Sequence, residues 1–296
     1  HYFEYQRIVE GLKMMLWGLF KKIVIADRLA IYVDSVYNNP DNHNGTTLIV
    51  ATIFFAFQIY CDFSGYSEIA IGAAKVMGFK LMTNFRRPYF SQSISEFWKR
   101  WHISLSTWFK DYLYISLGGS RVTIPRWYLN LFIVFLVSGL WHGANWTFII
   151  WGAINGFYLV FAIIIKPVNN KIGAFLKINR YNNLNALLQI FITFLLSCFA
   201  WIFFRANTVS DSVLIIKKII TTSGKVYMEN PSMMIYSLFG IFFLLLAESK
   251  VEYYKGSFSL LNNSNWLIRN LSYSALVIIM LLLGVFDGGQ FIYFQF

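Results

Sequence analysis

From Trp127 to Ile165 the chain runs 39 residues without an Asp, Glu, Lys or Arg, between Arg126 and Lys166. One helix of that length would be roughly 58 Å long, about twice the hydrocarbon thickness of a bilayer. The run must therefore break. His142-Gly143-Ala144-Asn145 is where it can, because Gly accepts irregular backbone and Asn hydrogen-bonds to freed main-chain groups. Non-helical backbone at membrane depth needs protein or water around it, so the break predicts a cavity with His142 on its wall. His142 is also the one imidazole of the run, and an ionisable side chain in such a place is a functional candidate.

The rest of the composition agrees with a membrane-embedded chain. At 57% hydrophobic, 20% aromatic and 13% charged residues over 296 positions, there is more apolar surface than a soluble interior of this size can hide. Strand alternation is absent, which leaves an all-α, polytopic transmembrane protein. The net charge of +11 fits cytoplasmic loops and anionic lipid headgroups, and no nucleic acid partner is expected. Cys61 and Cys198 form no metal or redox spacing. With no repeat and no separate soluble segment, residues 1–296 read as one membrane-embedded domain. The first residues are neither a signal peptide nor a span, so the chain is expected to begin partway through a longer protein.

Along the chain, residues 8–37 read as one helical stretch that Lys13, Lys21, Lys22 and Arg28 keep at the interface or tilted into the protein. A turn-rich loop follows at 38–45, with His43 in solvent. Residues 46–60 begin a span, Cys61 to Gly65 interrupts it, and 66–79 resumes; Asp62 then caps the second part or acts directly, with Glu68 facing water. Further spans are expected at 184–204, 233–247 and 267–285, with a polar loop at 166–183. Gly72, Gly139, Gly152 and Gly156 are candidate close-packing positions, and the tryptophans belong at membrane interfaces and helix contacts.

Between 80 and 126 eight basic residues face two acidic ones, which places the flanks of this segment on the cytoplasmic side. Ser93 and Glu96 match a capping box that opens a helix of roughly twenty residues. Phe97, Trp101, Leu105, Trp108 and Tyr112 make its apolar face; Lys99, His102, Ser106 and Lys110 make a polar stripe beside it. Gly118 and Gly119 end that helix.

Two embedded histidines admit several chemistries. A metal site needs further ligands at short spacing, and HxH, HxxxH and CxxC are all missing. Axial haem ligation by His102 and His142 needs no local motif and stays open. A serine nucleophile would sit on a GxSxG turn, which is absent, so Ser104 and Ser106 read as ordinary helical serines. A histidine acting as general base on an incoming hydroxyl fits a lone intramembrane His beside a helix break. A core histidine satisfied by carbonyls is the plain alternative.

Five stretches, 57–72, 84–121, 138–160, 200–213 and the terminal FIYFQF at 291–296, together resemble the membrane-bound O-acyltransferase family. The similarity is to its bacterial branch concerned with O-acetylation of alginate and peptidoglycan, with teichoic acid D-alanylation more distant. The resemblance implies a ring of tilted helices around a central tunnel, with N-terminal spans that are absent here and an intact C-terminus. It carries the catalytic role onto His142, in LWHGANW, and a second functional role onto His102, in KRWHIS. Arg100, Ser106, Asn145 and Asp62 are the candidate substrate-binding residues around them. No bound cofactor is expected. The donor would be acetyl-CoA or another acyl thioester, and the acceptor an exported polysaccharide. The expected partners are a periplasmic acetyltransferase and the lipid bilayer, in the bacterial cytoplasmic membrane. A transporter or channel using the same histidines, or a scaffold for the periplasmic enzyme, is the competing reading.

Overall fold

The computed structural model describes residues 3–175, 182–254 and 260–286, and among these there is no strand. The terminal FIYFQF lies outside the described residues. Among the described residues six helices are long and apolar enough to cross a bilayer, which makes this an all-α, multi-pass membrane protein. The chain divides into two compact units, His1–Thr83 with Lys218–Phe296, and Asn84–Lys217.

In the first unit the central element is α3 (Gly45–Val76), opened by Asn44, whose side chain accepts the Thr47 N–H. Its most apolar stretch is 78% buried, against 11% for α11 (Trp266–Leu283), so α3 lies inside and α11 presents side chains outward. Packed along α3 is one continuous helical run made of α1 (Tyr5–Leu19), a π-helical turn (Phe20–Ala26) and α2 (Asp27–Tyr37). Gly11 faces Gly72 and Gly18 faces Gly65 across this interface. A Cβ added at Gly11 would stand 2.6 Å from the Gly72 carbonyl oxygen, and one at Gly18 equally close to that of Gly65. Small residues at this spacing let two backbones touch.

That contact corrects the expectation of an interruption at Cys61–Gly65. Gly65 serves helix approach, not a turn, and α3 continues for 32 residues. Asp62 consequently caps nothing. It sits mid-helix, buried, and accepts from Lys22 Nζ at 2.6 Å, and Lys22 also reaches Asp27 at 2.7 Å. Lys21 pairs with Glu68 at 2.8 Å and approaches Glu248 of α10 (Pro231–Tyr253) at 3.8 Å, while the Tyr60 hydroxyl donates to Glu248. Glu68 is thus engaged by a lysine. Of the two alternatives for residues 8–37, interface or tilted into the protein, the second holds at Lys21 and Lys22, which carboxylates match inside the unit, while Lys13 donates to Asn262 Oδ1 at 2.8 Å. His43, expected in solvent, is half-buried with its ring edge-on to Tyr227.

The second unit contains α4 (Ile94–Arg100), α5 (Ile103–Trp108) with a π-helical turn (Phe109–Tyr114), α6 (Ile124–His142), α7 (Trp146–Phe175) and α8 (Asn182–Arg205); α9 (Val209–Thr221) runs on across the boundary. The capping box is present: the Glu96 N–H donates to Ser93 Oγ at 3.2 Å, and the Glu96 carboxylate reaches back to the Gln92 N–H at 2.8 Å. The twenty-residue helix it was expected to open is not; α4 stops after seven residues, and the chain breaks at Trp101-His102. The loop expected at 166–183 is also shorter, because α7 passes through Pro167 as far as Phe175; residues 176–181 lie outside the described ones.

Candidate active site

The site grows out of the α6–α7 hairpin. Pro125 lies in the first turn of α6, where a missing N–H costs nothing, and buried Asn130 fastens the preceding turn by donating to the Leu117 and Gly119 carbonyls at 3.0 and 3.1 Å. Gly139 and Gly152 bring the two helices together: a Cβ on either would collide with a carbonyl oxygen of the other helix, at Phe148 and Phe135 respectively. The expected break is present, as the turn between two antiparallel arms and not as a gap within one span. Each arm is long enough to cross alone, at about 28 Å for the 19 residues of α6. Asn145 opens α7 by accepting the Thr147 N–H at 3.1 Å and ties the turn to the Asn207 carbonyl at 3.0 Å. Its amide is therefore used by the fold at both ends. Gly143 lets the turn lie against Phe148, whose ring would be 2.8 Å from a Cβ there.

His142 is the last residue of α6 and only 8% exposed. Aromatic rings surround its imidazole: Trp141 at 5.0 Å, Trp151 at 5.2 Å, Phe204 at 5.1 Å and Phe148 at 6.3 Å between centroids. Three of these contacts are edge-on, a geometry that fixes the ring plane.

His102 lies at the break between α4 and α5 with φ 43° and ψ 56°. Among the described residues only Arg87 and His102 combine a side chain with positive φ. Such a conformation costs about 1–3 kcal/mol and tends to be retained where function requires it. Burial pushes the His102 imidazole down to about 4, so it is neutral at physiological pH. Ser106 does not stand on a continuous polar stripe with it; its hydroxyl donates to the Trp101 carbonyl at 3.3 Å, which steadies the break. Arg100 bonds Glu96 Oε1 at 2.6 Å and is thereby held against its own helix.

A ladder of ring contacts joins the two histidines. Phe85 stacks on His102 and meets Trp101 edge-on; Trp101 packs on Trp201 at 5.1 Å, Trp201 stacks on Trp151 at 5.9 Å, and Trp151 meets His142. The second unit thus unites His142, His102, Arg100, Ser106 and Asn145, whereas Asp62 belongs to the first unit and its lysine pair. Reasoning from sequence passed over Phe85, Trp201 and Phe204. Their spacing along the chain carries no signal of a shared cage, although 84–121 and 200–213 are stretches of the family resemblance.

Comparison with known proteins fits this arrangement. The family model for membrane-bound O-acyltransferases matches residues 3–204. A probable alginate O-acetylase of Pseudomonas aeruginosa is 45% identical over 201 residues, covering 68% of this chain and 36% of that protein. A peptidoglycan O-acetyltransferase of Helicobacter pylori is 38% identical over 223 residues, 75% of this chain and 41% of its own length. A teichoic acid D-alanyltransferase of Bacillus subtilis is 29% identical over 207 residues, 67% of this chain and 51% of that one. The chain spans about two fifths of the length of the first two relatives.

Proposed function

Because the chain belongs to the membrane-bound O-acyltransferase family, we propose that it takes part in O-acetylation of an exported cell-envelope polysaccharide, alginate-like or peptidoglycan, from the bacterial cytoplasmic membrane. The donor is a cytoplasmic acetyl thioester, acetyl-CoA or a carrier-bound equivalent, and a periplasmic acetyltransferase receives or completes the transfer. No bound cofactor is called for. The observation that carries this reading is the pair of histidines, one caged and one backbone-strained, joined by a ring ladder in a single unit.

The chemistry balances without an external reagent. The accepting hydroxyl loses its proton to His142 as its oxygen bonds to the thioester carbonyl carbon; the C–S bond then breaks and the leaving thiolate receives that proton from the imidazolium. Ester and free thiol result. His102, neutral, donates a ring N–H to the carbonyl oxygen as negative charge gathers there. With Arg100 paired to Glu96, the exposed Arg86 and Lys99 are the better cations for the donor's phosphates.

The test is release of free thiol from acetyl-CoA by the purified full-length protein, with and without its periplasmic partner and polymer acceptor. Thiol release that falls about a hundredfold or more in His142→Ala is the expected result. A wild type that leaves the thioester intact while cells still acetylate their polymer would favour a transporter, a scaffold or another donor.

A further inference from the structure

Nothing in the local sequence dictates a helix break at His102, since KRWHISLS contains neither Gly nor Pro. The break is imposed by residues 84–86, which lie alongside. Asn84 accepts two hydrogen bonds at the start of α5, through its main-chain carbonyl from the Ile103 N–H at 3.0 Å and through Oδ1 from the Ser104 N–H at 3.1 Å. These are the first two N–H groups of the helix, which have no acceptor within a helix, and His102 in the N-cap position makes no side-chain cap. On the other side of the break the Arg86 N–H donates to the Arg100 carbonyl at 2.9 Å. Between these two anchors Phe85 lies nearly parallel to the imidazole of His102, with 18° between the ring planes and 6.4 Å between centroids, and meets Trp101 edge-on at 5.1 Å.

We propose that Asn84 and Phe85 are positioning residues for His102. Asn84 caps α5 from outside and so keeps residue 102 in its left-handed conformation, and Phe85 sets the plane of the imidazole. The inference rests on the reading of His102 as a participant in acetyl transfer. Both residues act through His102, and a backbone that costs free energy to hold is explained by what holds it.

The test uses the full-length protein in cells, reading base-labile acetate on the envelope polymer at matched protein level, together with NMR titration of the His102 imidazole in detergent, assigned by its loss in His102→Ala. Asn84→Ala is expected to lower acetate about tenfold or more. Asn84→Asp, which keeps an acceptor for the Ser104 N–H, recovers most of that loss, and Phe85→Leu falls between. The imidazole midpoint moves in Asn84→Ala from about 4 towards the 6.5 of an unrestrained histidine. Full acetate in His102→Ala would remove the reading of His102 itself. Loss in His102→Ala beside wild-type acetate and titration in Asn84→Ala would overturn the positioning role alone. Should Asn84→Ala not accumulate, Phe85→Leu decides, and an unmoved midpoint with unmoved acetate in that variant overturns the proposal.

Discussion

His102 holds its imidazole on a backbone that only glycine adopts freely, which makes an unusual order of stabilities predictable. His102→Gly and His102→Ala both delete the ring, but only alanine keeps a Cβ at φ 43°. We expect the glycine variant to be the more stable by about 1 kcal/mol in thermal unfolding, the reverse of the usual helix order. The same residue gives a pH signature. Its midpoint is about 4 in the folded protein against roughly 6.5 unfolded, so the folded state binds fewer protons between these values. Its stability contribution is complete above about pH 6.5 and lost as pH falls towards 4, up to about 3 kcal/mol in all. His102→Gln should flatten that part of the stability curve; an unchanged slope would mean that another group sets it. Of these features the sequence singled out His142 as the one imidazole of a long apolar run and His102 as a member of a polar stripe within the family resemblance. It hid the strain at His102, which comes from Asn84, eighteen positions upstream.

At the scale of elements, the α6–α7 hairpin depends on Gly139 and Gly152 more than on any side chain. Gly152→Ala would gain about 1 kcal/mol in helix propensity. Its Cβ would nonetheless meet the Phe135 carbonyl oxygen, and overpacking against backbone costs about 1–3 kcal/mol. Net destabilisation, with His142 displaced and acetylation lowered, is the expected outcome in a thermal melt and an activity assay. The position of the turn was legible in advance because its chemistry is local, with Gly and Asn at residues 143 and 145 interrupting a long apolar run, whereas the pairing of two full spans around it was not. The supposed turn at Cys61–Gly65 looked similar and was not one. Asp62 is paired with Lys22, forty positions away, and Gly65 packs on Gly18, forty-seven positions away, both beyond a local reading. Local chemistry announces a break where tertiary contacts hold the same residues in a turn, as Asn207 holds Asn145, and misleads where they hold them inside a helix, as Gly18 holds Gly65.

At the scale of the molecule, each of the two units is built on a different economy of polar groups. The first buries Lys21 and Lys22 among carboxylates, while the second surrounds its histidines with aromatic rings. Lys22→Met should therefore cost about 3–5 kcal/mol, because it strands Asp27 and Asp62 without their cation. The double variant with Asp62→Asn should recover part of that loss in thermal unfolding, and equal instability of single and double variants would deny the pair this role. Apolar composition made the multi-pass helical fold readable from the outset, and the match of residues 3–204 places it in its family. The pairing of lysines with distant acids was not readable, since Glu248 stands more than two hundred residues from Lys21. The central claim is that acetyl transfer runs through His142. It is tested most directly by measuring base-labile acetate on polymer from cells carrying wild-type or His142→Ala full-length protein at equal membrane levels. The variant is predicted to fall to the level of cells lacking the protein, and acetate at the wild-type level would contradict the account.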